Sequence, residues 1–117
     1  MSENVIEIKS KAFAIKIVNM YKWICEEKRE YILSKQCLRS SSSIGANVAE
    51  AQEPQSQNDF IAKLYIALKE ASETKYWLRL LSATNYLTEK ESGSLLHDCT
   101  ELEKLLTAII KTTKAKR

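Results

Sequence analysis

The sequence predicts an all-α protein, an antiparallel up-and-down four-helix bundle, and two observations indicate this fold. The 117-residue chain contains only two glycines and one proline, whereas β-sandwiches need frequent turns that depend on these residues. Apolar residues recur at alternating steps of three and four along four long segments, which is typical of helices with one buried face. Hydrophobic residues make up 44% of the chain and charged residues 28%, a balance typical of a globular protein. We therefore expect one domain over residues 1–117.

The first two helices are predicted at residues 5–28 and 32–52, with the second starting between Tyr31 and Leu33. A fully charged stretch at 26–30 fits a solvated turn between them. Pro54 ends the second helix because proline lacks an N–H and clashes with the preceding turn. The two predicted core stripes are Ile6, Phe13, Ile17, Met20 and Ile24, then Leu33, Cys37, Ser40, Ile44, Val48 and Ala51.

The third and fourth helices are predicted at residues 57–83 and 89–113. Ser56 with Asp59, and Thr88 with Glu91, have the spacing of capping boxes at the two helix starts. Short connections make consecutive helices antiparallel neighbours. The predicted core residues of the third helix are Phe60, Leu64, Ala67, Ala71, Thr74, Leu78 and Leu81, widened by Ile61, Tyr65 and Leu68; those of the fourth are Leu95, Cys99, Leu102, Leu106 and Ile109.

In residues 39–51, the helix propensity of the residues and the spacing of the apolar positions predict different structures. Four serines and a glycine make a poor helix centre, yet the apolar spacing of the second helix continues through them. Two interpretations remain open, a helix restarted after a break at the serines or one continuous helix, which we favour. Small residues let helices approach closely, and a partly buried polar network is expected around them. Its predicted members are Arg39, Asn47, Glu50 and either Glu70 or Glu73.

The sequence offers no catalytic, metal or cofactor site. His97 is the only histidine, and no CxxC or HExxH motif supplies further zinc ligands. The odd set of Cys25, Cys37 and Cys99 is expected to be reduced and packed in the core. The chain shows neither a signal-peptide pattern nor an apolar run that would span a membrane. We therefore predict a non-enzymatic cytoplasmic protein.

The basic excess lies at one end of the chain. Lys104, Lys111, Lys114, Lys116 and Arg117 stand in a stretch without an acidic residue, and the other 103 residues hold 13 basic and 15 acidic ones. Cations near the C-terminus of a helix interact favourably with its dipole. A basic tail also suits the binding of phosphates. Both explanations are compatible with the sequence.

The segment RSSSSIGANVAEAQ, followed after a short turn by SQNDFIAKLYIALKEASETKYWLRLL, resembles the four-helix bundle protein family, also called the 23S ribosomal RNA intervening-sequence protein family. This resemblance implies a bacterial bundle protein that assembles as a ring-like homopentamer and has no established catalytic residue. A relative, the accessory variability protein of diversity-generating retroelements, is a basic pentamer that binds nucleic acid and a reverse transcriptase. The positions that match the family pattern are Ser43, Ile44, Asn47, Glu50, Ala51, Asp59, Phe60, Ala67, Glu73 and Tyr76.

Two function hypotheses follow. The first is an oligomeric adaptor that binds structured RNA or DNA through Lys104, Lys111, Lys114, Lys116 and Arg117, helped by Lys63, Lys69, Lys75 and Arg79. Five copies of the tail would compensate for a weak single site. The residues assigned to structure or oligomer contacts are Arg39, Ser43, Gly45, Asn47, Glu50, Glu73 and Tyr76.

The alternative is a protein-binding scaffold without a nucleic-acid role. Its partner, or a neighbouring subunit, would dock on aromatic residues outside the core stripes. Partial burial within the bundle explains the same residues equally simply. They are Tyr21, Trp23, Tyr76 and Trp77.

Overall fold

The four predicted helices are present and pack as a bundle in the structure, a computed structural model that describes residues 4–116. The described chain measures 48 × 22 × 22 Å. Around the bundle, α1 lies beside α2 and α4, while α3 also lies beside α2 and α4, so that α1 and α3 face each other across the diagonal. The helices are α1 (Val5–Trp23), α2 (Leu33–Ala51), α3 (Gln57–Ala83) and α4 (Glu89–Ala115).

The core forms along the predicted stripes, with corrections near the helix ends. Three predicted core residues are only half-buried, and in each case the next residue takes the buried position. Consecutive residues lie about 100° apart around a helix, so the two residues of each pair flank the direction of the core, and the packing of the neighbouring helices decides which of them is covered. Tyr65 is a further correction, because it was predicted to widen the core and is 44% exposed. The three shifts are Leu33 to Ser34, Phe60 to Ile61 and Ile109 to Ile110.

The charged connection between α1 and α2 is more ordered than the predicted turn. The chain continues from α1 as one π-helical segment, Ile24–Lys28, and ends in the left-handed conformation at Arg29. Glu30 is then buried and accepts hydrogen bonds from the backbone N–H groups of Ile32, Leu33 and Ser34 at 2.9, 2.7 and 2.8 Å. This carboxylate satisfies the free N–H groups at the start of α2.

The pKa of Glu30 reflects two opposed effects. Burial disfavours the charged form and raises the pKa, whereas the three backbone hydrogen bonds stabilise the carboxylate and lower it. The combined effect of the hydrogen bonds exceeds that of burial, so the pKa of Glu30 lies below its ordinary value. The carboxylate is therefore charged near neutral pH and suits the positive end of the α2 dipole.

The predicted starts of α3 and α4 are capped by side chains. Thr88 and Glu91 form a full capping box at α4, as predicted. Ser56 accepts from the N–H of Asp59, but the Asp59 carboxylate reaches the N–H of Gln55 rather than that of Ser56. The side chain of aspartate is one carbon shorter than that of glutamate. Only one of the two hydrogen bonds of the predicted capping box is therefore present, the one that Ser56 accepts.

The serine run lies inside one continuous α2, which confirms the favoured interpretation. Ser40, Ser41 and Ser42 each donate to a backbone carbonyl three residues earlier, at 3.0–3.3 Å. Such local bonds satisfy the hydroxyl groups without an outside partner. Ser40 also shares a 2.8 Å hydrogen bond with Thr74 of α3, and both side chains are fully buried.

The cysteines differ in their surroundings. Cys37 and Cys99 are buried, as predicted, while Cys25 is only half-buried. Burial raises the pKa of each buried thiol to about 12, helped at Cys37 by the neighbouring Cys99 and at Cys99 by Glu103. Both thiols are thus protonated near neutral pH. In the described part of the chain, no helix has the length and apolar character to cross a membrane.

Candidate nucleic-acid interface

The charges on α4 differ between its two sides. Toward α1, Asp98 pairs with Lys16 at 2.6 Å and Glu101 pairs with Lys9 at 3.0 Å. Each pair joins a cation of α1 to an anion of α4, so the charges on this side are compensated. Binding of phosphates would have to displace these ion pairs.

The opposite side of α4 is basic. Glu103 and Lys114 lie on the side of α4 that contacts α3. Lys104 and Lys111 lie beside them on the outer surface of α4, two helical turns apart. Lys104, Lys111 and Lys116 are exposed and form no ion pair with any residue between 4 and 116. Lys114 donates to the hydroxyl of Tyr65 at 2.8 Å and forms no ion pair within the described chain, so no acidic side chain compensates its charge.

The predicted cations of α3 divide into two groups. Lys75 forms a 2.8 Å ion pair with Glu103, and Lys63 lies 3.8 Å from Glu50. These two lysines therefore supply little net charge to an interface. Lys69 and Arg79 are exposed and have no ion pair within the described chain. Arg117 lies outside the described residues.

The free cations extend along α3 and α4 rather than forming one end cluster. Arg79 comes 14 residues after Tyr65 on α3, roughly 21 Å along the axis at 1.5 Å per residue. It lies near the α3–α4 connection, beside Asn85 and Glu89, whereas Lys114 and Lys116 lie near the opposite end. We call this surface the basic face; its members are Lys69, Arg79, Lys104, Lys111 and Lys114. Lys116, although exposed, follows Asp98 by 18 residues, which is five full helical turns, so it lies on the α1 side and outside this face.

Two exposed tyrosines lie on the outer surface of α3 beside these cations. Tyr65 is 44% exposed and Tyr76 is 57% exposed. They are eleven residues apart, close to three full turns, so they point from the same side of the helix with Lys69 between them. The sequence does not identify Tyr65 as a surface residue, because its position in the apolar spacing of α3 predicts burial.

The predicted polar network separates into three parts. Arg39 contacts Glu73 and lies 3.5 Å from Glu70, which ties α2 to α3. Trp77 donates its indole N–H to Glu73 at 2.9 Å, and this explains its partial burial. Asn47 instead bonds within α2, to the carbonyl and hydroxyl oxygens of Ser43 at 2.9 and 3.1 Å.

Glu50, the remaining predicted network member, pairs with Lys63 rather than with Arg39. Arg39 lies nearly three helical turns before Glu50 on α2, so the two side chains are too far apart to share a partner. Gly45 faces α1, where an added Cβ would lie 3.8 Å from the carbonyl oxygen of Ser10. That is an ordinary contact, and alanine fits this position without displacing α1.

A second exposed surface on α1 is apolar. Val5, Ile8 and Ile15 are 56%, 52% and 52% exposed, and Ala12 lies between the two isoleucines. Their steps of three, four and three match a packing stripe rather than scattered surface positions. We call these four residues the outer α1 stripe. It lies on the helix diagonal to α3 and beside α4.

The described residues contain no cluster suited to catalysis or metal binding. No three histidine, cysteine or acidic side chains come together in residues 4–116 to hold a metal ion. His97 is exposed. The protonated Cys37 and Cys99 lack the thiolate that nucleophilic chemistry requires.

Comparison with known proteins identifies the family. A family model described as 23S rRNA-intervening sequence protein matches residues 2–108. The chain belongs to this family. Among solved structures, a protein of unknown function from the S23 ribosomal protein family of Bacteroides thetaiotaomicron is 54% identical, with a TM-score of 0.90. The match covers 92% of this chain and 99% of that one. No curated protein matches the chain.

The motif by which this 23S rRNA-intervening sequence protein resembles its family lies mainly at the α2–α3 contact. Ile44 and Ala67 are buried in the core, while Asp59 closes the connection before α3 through Gln55. Glu73 joins Arg39 to Trp77. These contacts give the matching residues packing and capping tasks, while the basic face lies mostly outside the motif.

Proposed function

We propose that this protein is a non-enzymatic adaptor that forms a homo-oligomer, of the pentameric kind implied by its family, and binds structured RNA or DNA through the basic face. The observation that supports this proposal is the unequal charge on α4. Acidic residues of α4 compensate Lys9 and Lys16 on the α1 side, whereas the five cations of the basic face have no ion pair within the described chain. Phosphates are the natural partners of such cations.

One subunit offers only a weak site. Its net charge is +3, and binding strength depends on how many phosphates are neutralised. Repeated copies convert later contacts into intramolecular ones and raise the overall affinity without new contacts. Assembly is therefore part of the proposed mechanism.

The outer α1 stripe supports assembly because exposed aliphatic side chains at packing steps favour contact with another protein surface. The stripe lies on α1 and the basic face on α3 and α4, so the two surfaces share no residue. Association and nucleic-acid binding would then use different surfaces of the same bundle.

The test combines binding with oligomeric mass. Lys104, Lys111 and Lys114 are replaced by Gln, and RNA affinity is measured at several salt concentrations. We expect the triple variant to bind more weakly and with a shallower salt dependence. The matched control replaces Lys11 and Lys22, exposed cations of α1, and should bind like the wild type. Unchanged affinity in the triple variant would remove this assignment of the site, and a monomeric mass in light scattering would remove the role of avidity.

A scaffold for another protein is the second candidate, and the outer α1 stripe favours it too. Ile8→Glu and Ile15→Glu place charges on that surface without touching the basic face. If these variants keep the wild-type mass but lose a defined protein partner that resists nuclease treatment, the scaffold explains the stripe better. If they lower the oligomeric mass instead, self-association explains it.

A further inference from the structure

We propose that Tyr65 and Tyr76 stack on the bases of a single-stranded segment that lies along the outer surface of α3. This inference rests on the proposed nucleic-acid function and adds the kind of strand that the basic face prefers. Single strands are bound by cations that follow the backbone and by aromatic rings that stack on the bases. Both kinds of group occur on this surface.

The spacing of the two rings fits a short stretch of strand. Eleven residues along α3 correspond to about 16 Å. A stacked strand advances about 3.4 Å per nucleotide, so roughly five nucleotides connect the two tyrosines. Lys69 lies between the rings on α3, and the exposed Lys104 and Lys111 lie on the neighbouring helix. Phosphates of the connecting nucleotides would thus run beside three cations.

The faces of the Tyr65 ring are available for stacking. The Lys114 ammonium is 2.8 Å from the hydroxyl oxygen but 5.1 Å from the ring centroid. A centroid distance nearly twice the hydroxyl distance places the ammonium beside the hydroxyl, at the rim of the ring rather than above its centre. The lysine therefore holds the ring by its polar edge and brings a positive charge next to the stacking surface.

Tyr76 is held in a similar way by an aromatic neighbour. Its ring meets Trp77 edge to face, with centroids 5.1 Å apart and planes at 73°. Trp77 is itself fixed by its hydrogen bond to Glu73. An exposed ring that is held by a fixed neighbour loses little freedom when a base stacks on it.

A duplex would use this surface differently. Its bases are already stacked on one another and its backbone offers phosphates, so the lysines would contribute while the tyrosines would not. Exposed tyrosines also occur at protein–protein contacts. The experiment must therefore separate stacking, charge and subunit contact.

The experiment measures the affinity of the full chain for a short oligouridylate and for a duplex RNA of the same length. Tyr65→Leu and Tyr76→Leu remove the rings, while Tyr65→Phe and Tyr76→Phe retain them. Tyr31→Leu is the matched control, because Tyr31 is 53% exposed and lies at the α1–α2 connection, outside the basic face. We expect each ring-removing variant to bind oligouridylate about fivefold or more weakly. The phenylalanine variants, the control and all duplex affinities should stay near wild type.

The outcomes separate this inference from the proposed function. If both leucine variants bind oligouridylate like the wild type while the lysine variants bind poorly, stacking is wrong and the basic face remains. If phenylalanine weakens binding as much as leucine, the hydroxyl contact matters and stacking is also wrong. If the leucine variants lower the oligomeric mass and weaken both RNAs equally, the tyrosines belong to a subunit contact. If the wild-type protein binds neither RNA, the proposed function itself fails.

Discussion

The contact between α2 and α3 adds a buried hydroxyl pair to its surface ion pairs, whereas the described polar contacts between α1 and α4 are surface ion pairs alone. Between α2 and α3, the Ser40 and Thr74 hydroxyls meet in the fully buried core. Between α1 and α4, the polar contacts are ion pairs such as Lys16 with Asp98, at the surface. An open groove of about 460 Å³ also lies there, lined in part by Trp23 and Leu95. The comparison indicates that a buried polar bond helps to fix α2 against α3, whereas the polar contacts that hold α1 against α4 are exposed to solvent.

The largest expected effect on stability comes from core residues, one fully buried in α3 and one beside the groove between α1 and α4. Leu78→Ala should lower the free energy of unfolding by about 2–5 kcal/mol, because Leu78 is completely buried and its removal leaves a cavity. Leu95→Ala should cost less, because Leu95 borders the open groove, which water can fill. Urea unfolding of both variants checks this. Equal losses would mean that the α1–α4 side is packed as firmly as the α2–α3 side.

The cap of α2 should give the next largest effect. Glu30→Gln keeps an oxygen acceptor but removes the charge that three backbone N–H groups contact, so we expect a loss of about 1–2 kcal/mol near neutral pH. The pKa of Glu30 is lowered in the folded state. Its contribution is thus present above the ordinary pKa of glutamate and is lost as the pH falls through the lowered one.

The pH dependence distinguishes the cap from general acid sensitivity. The stability gap between wild type and Glu30→Gln should narrow as the pH is lowered below the ordinary glutamate range. Glu27→Gln, at an exposed position of the same connection, should leave the stability unchanged. A gap that stays constant down to strongly acidic pH would contradict the role of the Glu30 charge.

The buried hydroxyl pair should have a smaller effect. Ser40→Ala removes the contact to Thr74 and should cost about 1 kcal/mol. Ser42→Ala is its control in the same run, because Ser42 is exposed and bonds only to its own helix. We expect Ser42→Ala to leave stability unchanged or slightly raised, since alanine favours helix. Thermal unfolding that shows equal changes for both would remove the special role of the Ser40–Thr74 contact.

The smallest effects are expected from the ion pairs. A double-mutant cycle on Lys16 and Asp98 should give a coupling of about 0.5 kcal/mol that weakens with salt, because the Lys16 side chain is 55% exposed. The cycle on Lys75 and Glu103 should give a larger value, since these side chains are only 18% and 23% exposed. The reverse order would show that exposure does not govern the strength of these pairs.

The local sequence pattern predicts most of the helices and their starts, but it predicts less of the candidate nucleic-acid interface. Proline and capping residues act within one helical turn, so the start of α3 after Ser56 and that of α4 after Thr88 are visible in the sequence. The burial of Ile61 in place of Phe60 is not, because it depends on how the neighbouring helices cover the end of α3. Glu30 could have been noticed as an acid just before a helix start. The loss of Lys75 from the candidate site could not, because Glu103 is 28 positions away.

The buried thiols make the native chain convenient for site-selective chemistry. Reagents such as maleimides need the thiolate, and protonation together with burial keeps Cys37 and Cys99 unreactive near neutral pH. A dye would attach at the half-buried Cys25, which lies at the end of the bundle where α4 begins, far from Lys116. Such a probe would leave Lys114 and the end of α4 unmodified, and no cysteine would have to be engineered in or out.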